Sequence, residues 1–213
     1  GMVGRELVDR FPKRIPRIGD VALEVRDWNV HNPSNLEQQV IRNVSFKVHK
    51  GEIVGIAGLM GAGRTELAMS IFGKSYGARV RGTLIKDGKE IHINNVRQAI
   101  QHGLAYATED RKNAGLNLIG NLKENISIAG LDKISRGLII NNEKEINVAE
   151  SYRRRLDIHS LNIFQKVGDL SGGNQQKVVL AKWLIGDFSL LLLDDPTVGV
   201  DVGARRELYE LMH

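Results

Sequence analysis

Residues Gly58-Leu59-Met60-Gly61-Ala62-Gly63-Arg64-Thr65 set three glycines ahead of a cation and a hydroxyl. The run matches the pattern Gly-x-x-x-x-Gly-Lys-[Ser/Thr] except that Arg64 stands where lysine belongs. Glycines at this spacing let backbone N–H groups converge on phosphate oxygens, and the start of a following helix adds its positive end to the same point. Thr65 offers a hydroxyl to Mg²⁺. Arg64 keeps the charge but presents a planar fork in place of a compact point charge. A glycine turn that only packs a helix on a strand is the plainer alternative. A second group is Leu190-Leu191-Leu192-Leu193-Asp194-Asp195, four apolar residues that end in two carboxylates. Beside a phosphate loop, Asp194 suits a water-mediated hold on Mg²⁺ and Asp195 the orientation of an attacking water; alone, the pair is a polar turn before Pro196. The third group, Leu170-Ser171-Gly172-Gly173-Asn174-Gln175-Gln176, is a serine and glycine backbone at a helix start, able to grip a terminal phosphate or simply to cap that helix.

The elements that position these groups alternate in type. Val21 to Arg26 and Val40 to Val48 read as strands, the second with Val40, Val44, Phe46 and Val48 on one face. Lys50-Gly51 turns the chain into a short apolar strand, Glu52 to Ala57, which delivers the glycine loop. Thr65 to Phe72 has a helical pattern that Gly73 stops. Val80 to Lys86 and Lys89 to Ile93 form a hairpin about Asp87-Gly88. A helix from Val96 to His102, ended by Gly103, leads into a buried strand, Leu104 to Ala107. From 108 to 170 the pattern becomes helical: Asn121 with Glu124 three later starts one helix as a capping box, and Asn142 to Ile158 reads as a polar, exposed one. A helix from Gly173 to Ile185, a strand from Ser189 to Leu193 and a helix from Asp201 complete an α/β order. Residues 1–20, with Pro12 and Pro16, read as a linker or a tail.

Composition narrows the function classes. The 213 residues contain no cysteine, which excludes disulfides, thiolate metal sites and cysteine nucleophiles. Hydrophobic residues make up 42%, too many for a disordered chain. Aromatics at 5% argue against a platform for stacking single-stranded bases. A net charge of +5 fits a nucleotide or an anionic surface, and Arg153-Arg154-Arg155 reads as a solvated face in place of a nucleic-acid patch. No apolar run approaches the roughly 20 residues that a bilayer span requires.

Glycine loop, serine–glycine stretch and acidic strand occur in one chain in that relation, and Pro196-Thr197-Val198-Gly199-Val200-Asp201 follows. In this the chain resembles the ATP-binding-cassette ATPases, and more closely the second cassette of the tandem ATPases that drive monosaccharide importers. Gly51 to Gly58, Ala105 to Lys112 and Val200 to Arg206 extend the resemblance, and Met2 to Glu6 is similar to the junction that leaves a first cassette. The resemblance implies an α/β, RecA-like P-loop NTPase core with an antiparallel β subdomain and a helical insertion subdomain (about 108–170), all within a cassette at 21–213. It also implies that the last core strands are missing, since the sequence stops at His213, within a helix and before the family's switch residue.

The ligands so implied are ATP and Mg²⁺. Gly58, Met60, Gly61, Ala62, Gly63, Arg64, Thr65, Glu66 and His31 fall to ATP, and Thr65, Asp194 and Glu109 to the metal. His31 lies near the adenine-stacking position, with Trp28 close by; a loop residue without a ligand is the other reading of either. Asp195 and Glu109, the latter at the Q-loop, take the catalytic positions. Ser171, Gly172, Gly173 and Gln175 act on the ATP of a partner cassette, and Asp201 lies at the cassette interface. Implied partners are a first cassette in the same polypeptide, membrane permease subunits and, indirectly, an extracytoplasmic sugar-binding protein, with no nucleic acid. The implied location is peripheral, on the cytoplasmic face of the cell membrane. Arg64, Glu109 and Asp195 depart from the family's usual lysine, glutamine and glutamate, which implies a degenerate ATP site beside an intact signature. A nucleotide-binding regulatory module without turnover is an alternative, as is a soluble DNA-handling cassette, although 108–170 lacks the apolar heptads of that class. Missing core strands would leave a sheet edge open and favour self-association.

Overall fold

A computed structural model describes residues 16–212 of the chain. The readings of residues 1–15, including Pro12 and the junction at Met2 to Glu6, and of His213 lie outside them. In chain order the elements are β1 (Val21–Asn32), β2 (Asn35–His49), α1 (Arg64–Ile71), β3 (Ala78–Lys86), β4 (Lys89–Ile91), α2 (Val96–Gln101) and β5 (Leu104–Ala107). A π-helical turn (Arg111–Gly115) leads to α3 (Leu122–Ser127), α4 (Leu131–Ile134), β6 (Ser135–Arg136), β7 (Ile139–Ile140), α5 (Asn142–Arg155), α6 (Gly172–Leu184), β8 (Leu190–Leu193) and α7 (Val202–Met212). They fall into two units. One holds residues 16–108 and 187–194; the other holds 109–186 and 195 onward.

The first unit is built on an antiparallel sheet of order β2-β1-β3-β4. Alternation along β1 buries Leu23, Val25, Trp28 and Val30. The β1–β2 ladder shifts register where Asp27 (φ 49°) and Asn43 (φ 48°) turn left-handed. The Asn29 side-chain oxygen accepts from the Asn43 N–H at 3.0 Å, and Ser45 Oγ from the Asp27 N–H at 2.8 Å, which satisfies the displaced backbone. This shift explains why Ile41 is the fully buried residue of β2 while Val40, Val44, Phe46 and Val48 are half-buried. The hairpin forms as the sequence requires, with Asp87 and Gly88 both at positive φ. Lys50 and Lys86 flank the Asp87 carboxylate and hold its pKa down at about 2.

The unit also contains a parallel pair, β5 with β8, in register from Leu104↔Leu190 to Ala107↔Leu193. Gly103 O starts the ladder by accepting from Ser189 and Leu190, and Asp194 N closes it on Ala107 O at 2.9 Å. The expected strand at Glu52 to Ala57 is not one. Its backbone finds no ladder partner among the described residues, and Ile53 and Ile56 stand 57% and 50% exposed. An apolar sequence permits a strand, but only a neighbouring backbone with free N–H and C=O groups makes one.

The second unit is helical apart from the small β6–β7 hairpin, which the sequence reading did not anticipate. Asn121 and Glu124 complete the capping box of α3 in both directions, at 2.9 and 3.1 Å. Helix α5 is not exposed on all sides. Ala149 is fully buried, and Glu145 is buried against α3, where it pairs with Lys123 and accepts from Ser127 Oγ at 2.7 Å. On its outer side, Glu150 pairs with Arg153 and Arg154, so two of the three arginines are spent on one carboxylate, whose pKa they hold down at about 2.

Candidate functional site

The glycine loop is open where a ligand needs it open. Leu59 and Met60 lie outward, Met60 at 99% exposure. Gly61 and Gly63 take φ of 78° and 86°, values a side chain adopts only under strain. A Cβ on Gly58 would stand 2.9 Å from that of Ala62, and a Cβ on Gly63 would stand 2.9 Å from Ile41 Cδ1 and 3.3 Å from Val40 O. The loop therefore seats against β2, at the register where Ile41 faces Val30. No side chain caps α1 at Gly63, so the first turn, with Arg64, Thr65 and Glu66 half-buried on it, presents backbone N–H groups beneath the glycines. This is the cradle a triphosphate needs, and the residues fit that group.

In the same unit Asp194 ends β8 at 7% exposure, and its Oδ2 accepts from the Tyr106 hydroxyl at 2.8 Å. Tyr106, which holds the Asp194 carboxylate, had no signal in the sequence beyond a tyrosine one residue before the end of a buried strand. No group of three or more histidine, aspartate or glutamate side chains gathers to hold a metal among the described residues. Mg²⁺ takes one or two carboxylates together with hydroxyl, water and phosphate oxygens, and this unit offers the Asp194 carboxylate and the Thr65 hydroxyl. The two adenine candidates separate. Trp28 is core, 3% exposed with its Nε1–H donated to Ser70 Oγ at 2.9 Å. His31 lies on β1 and not in a loop, half-buried, with its Nδ1 buried and unpaired among the described residues, an atom that calls for a partner.

The second unit holds the other motif residues. Glu109 is exposed just ahead of the π-helical turn. Ser171 caps α6: its Oγ accepts from the Asn174 backbone at 3.4 Å and from Asn174 Nδ2 at 2.9 Å. Both acceptor positions of the hydroxyl are then used, and its O–H proton remains to donate. Ser171 is exposed and Gly172 half-exposed, while Gly173 is buried. Gln175 points inward. It is buried, its amide donates to Val167 O and Leu170 O at 3.2 Å each, and its Oε1 accepts from Arg111 Nε at 3.3 Å. Asp195 is half-exposed at φ 38° and its carbonyl accepts from Val198 N at 3.1 Å, closing a turn that leads to exposed Asp201.

A family model described as "ABC transporter" matches residues 41–198. The chain belongs to the ABC transporter family. The whole of this cassette is 49% identical over 212 residues to the L-arabinose transport ATP-binding protein AraG of Geobacillus stearothermophilus, and 50% identical to the xylose import ATP-binding protein XylG of Thermoanaerobacter pseudethanolicus. It is 43% identical to the ribose import ATP-binding protein RbsA of Bacillus cereus. The alignments cover 100% of this cassette but 41%, 42% and 41% of those three proteins, so the chain spans about two-fifths of the length of the curated relatives it matches. Among solved structures it is similar to a nucleotide-free ATP-binding cassette from an ABC transporter, with a TM-score of 0.75, 20% identity, and coverage of 90% of this chain and 76% of that one. It is also similar to a dimeric ATP-binding cassette bound to ADP and Pi, with a TM-score of 0.72, 19% identity, and coverage of 89% and 81%. Both are likenesses of fold, and they place this cassette in the P-loop NTPase class with its antiparallel sheet and helices. No helix among the described residues is long and apolar enough to cross a membrane.

Proposed function

We propose that this chain is the second cassette of a tandem sugar-importer ATPase, that it holds ATP and Mg²⁺ in a site of reduced competence, and that its signature completes the site of a first cassette. The observation that carries the reading is Ser171: an exposed hydroxyl at the N-cap of α6, with its acceptor positions filled by Asn174 and its proton left to give to an anion. In this reading Gly58 to Thr65 bind the triphosphate through backbone N–H groups, with Glu66 and His31 beside it. Thr65, Asp194 and Glu109 hold Mg²⁺, which when bound neutralises charge on the phosphates. Arg64 reaches the phosphates as a fork where lysine would act as a point. Asp195 orients water from one methylene less than glutamate, and a misplacement of about 1 Å at such a residue can cost on the order of 10²-fold in rate. Ser171, Gly172 and Gly173 close on the ATP held by the first cassette, with Asp201 at the seam and Gln175 supporting the signature from below.

The partners are then the first cassette, membrane permease subunits that bring the protein to the cytoplasmic face of the membrane, and through them an extracytoplasmic sugar-binding protein. The 49% and 50% identities to arabinose and xylose transport proteins support a sugar as the cargo. Nucleic acid has no place in this reading, since Arg153 and Arg154 are already paired with Glu150. The test is ATP hydrolysis by the full-length polypeptide assembled with its permease in proteoliposomes. Ser171→Ala is expected to lower turnover by about 10²-fold, the order seen when one donor to developing charge is removed. Turnover unchanged by that substitution rejects the reading.

A further inference from the structure

Arg111 has no part in the site described so far, yet it joins three of its segments. It begins the π-helical turn two residues after Glu109 and is 9% exposed. Its Nη1 donates to Val198 O at 2.7 Å and its Nη2 to Gly199 O at 3.4 Å, both in the segment between Asp195 and Asp201. Its Nε donates to Gln175 Oε1 at 3.3 Å, and the other end of that amide holds Val167 O and Leu170 O, the carbonyls that lead into the signature. The guanidinium also lies between two glycines. A Cβ on Gly172 would stand 3.0 Å from Arg111 Nη2 and 2.6 Å from Gly199 O, and a Cβ on Gly199, which is at φ 64°, would stand 3.0 Å from Nη2. The first glycine of the signature, Gly172, is therefore bare partly because an arginine and a carbonyl occupy the space beside it.

We infer that Arg111 is a positioning residue that locks the signature loop to the segment preceding Asp201, so that the two surfaces offered to a partner cassette keep one geometry and follow the Glu109 segment as a body. The inference rests on the proposed assignment of Ser171 to Gly173 and Asp201 to that partner. A planar fork with donors in fixed directions meets three acceptors at once, two carbonyls of the 195–201 segment and one side chain on the first turn of α6. A lysine ammonium keeps the charge but, as a single point, does not reproduce that spread. In this role Arg111 acts through the segments it spaces.

The experiment uses the full-length polypeptide with its permease in proteoliposomes and compares Arg111→Lys, Gln175→Met, Lys182→Met and Ser171→Ala. Lys182 ties the far end of the same turn to α6, with Nζ donating to Gly115 O at 2.6 Å, but touches neither loop. Arg111→Lys is expected to lower kcat for ATP by about 10- to 100-fold, the effect of displacing a reacting geometry by about 1 Å, with KM moved by less than about threefold. Gln175→Met, which removes one of the three acceptors, is expected to give a smaller loss, and Lys182→Met a kcat within about twofold of the original. The thermal midpoint of Arg111→Lys stays within the range spanned by the other variants. The proposal is overturned if Arg111→Lys keeps its kcat while Ser171→Ala loses it, or if Arg111→Lys and Lys182→Met lose activity equally and in step with their melting temperatures. Should Ser171→Ala itself be without effect, the reading of the signature fails first.

Discussion

Asp195 combines two properties that pull in different directions. Its φ of 38° lies in the left-handed region, where a residue other than glycine costs of order 1 kcal/mol or more, and aspartate and asparagine bear that cost best. A glutamate there gains the methylene that the proposed chemistry lacks but tolerates the backbone less well. Asp195→Glu is expected to lower unfolding stability by about 1 kcal/mol and Asp195→Asn to leave it within a few tenths. Urea unfolding of the two variants decides the point, and equal midpoints would mean that the turn carries no strain. The aspartate was legible in the sequence as a carboxylate at the end of an apolar strand. Its left-handed backbone was not, because φ there is set by the turn that Val198 N closes on Asp195 O. Arg111 was likewise visible only as a letter in Glu109-Asp110-Arg111-Lys112, since its three acceptors come from residues 64 to 88 positions away.

Helix α6 and the π-helical turn show how an element can be tied by a cation that would rather be in water. Lys182, on the last turn of α6, reaches Gly115 O, and burial holds its pKa down at about 8 against an ordinary 10.5. Below pH 8 the ammonium is present in both folded and unfolded chains, and the cost of burying it is fully felt. Between pH 8 and 10.5 the unfolded chain binds more protons than the folded one, so stability rises with pH across that window. The slope is at most about 1.4 kcal/mol per pH unit. Urea midpoints from pH 7 to pH 10 should therefore climb for the natural chain relative to Lys182→Met, with the gain starting near pH 8; parallel curves would place this lysine in water. Local signals served well for elements whose ends depend on their own side chains. The Asn121–Glu124 box and the Asp87-Gly88 turn form as the sequence demands because their donors and acceptors lie within three residues. Helix α5 misled because a buried Glu145 looks like any surface glutamate until Lys123 and Ser127 are seen around it.

For the molecule as a whole, the chain crosses between its two units at Thr108–Glu109, Gly186–Asp187 and Asp194–Asp195. The glycine loop and Asp194 thus belong to one unit, and Glu109, Asp195 and the signature to the other. In the first unit the segment Glu52 to Ala57 displays Ile53, Val54 and Ile56 without a ladder partner among the described residues. Unpaired backbone beside apolar side chains is a template for another chain. The 213-residue chain is expected to associate, with a light-scattering mass above its own 23.7 kDa. Ile53→Lys with Ile56→Lys should return the mass toward that value. A monodisperse monomer in the natural sequence counts against this.

The sequence alone determined the glycine loop, the serine–glycine stretch, the acidic strand and, apart from Glu52 to Ala57, the order of strands and helices around them. Those features depend on glycine spacing, capping residues and apolar period, all of which act over a few residues. Only the tertiary structure decided which strands pair, that Trp28 is core while His31 has a nitrogen without a partner among the described residues, that Gln175 faces inward, and that one guanidinium spans the signature and the turn after Asp195. These depend on which distant backbone or side chain arrives at a given place, and no local pattern in the chain encodes that arrival by itself.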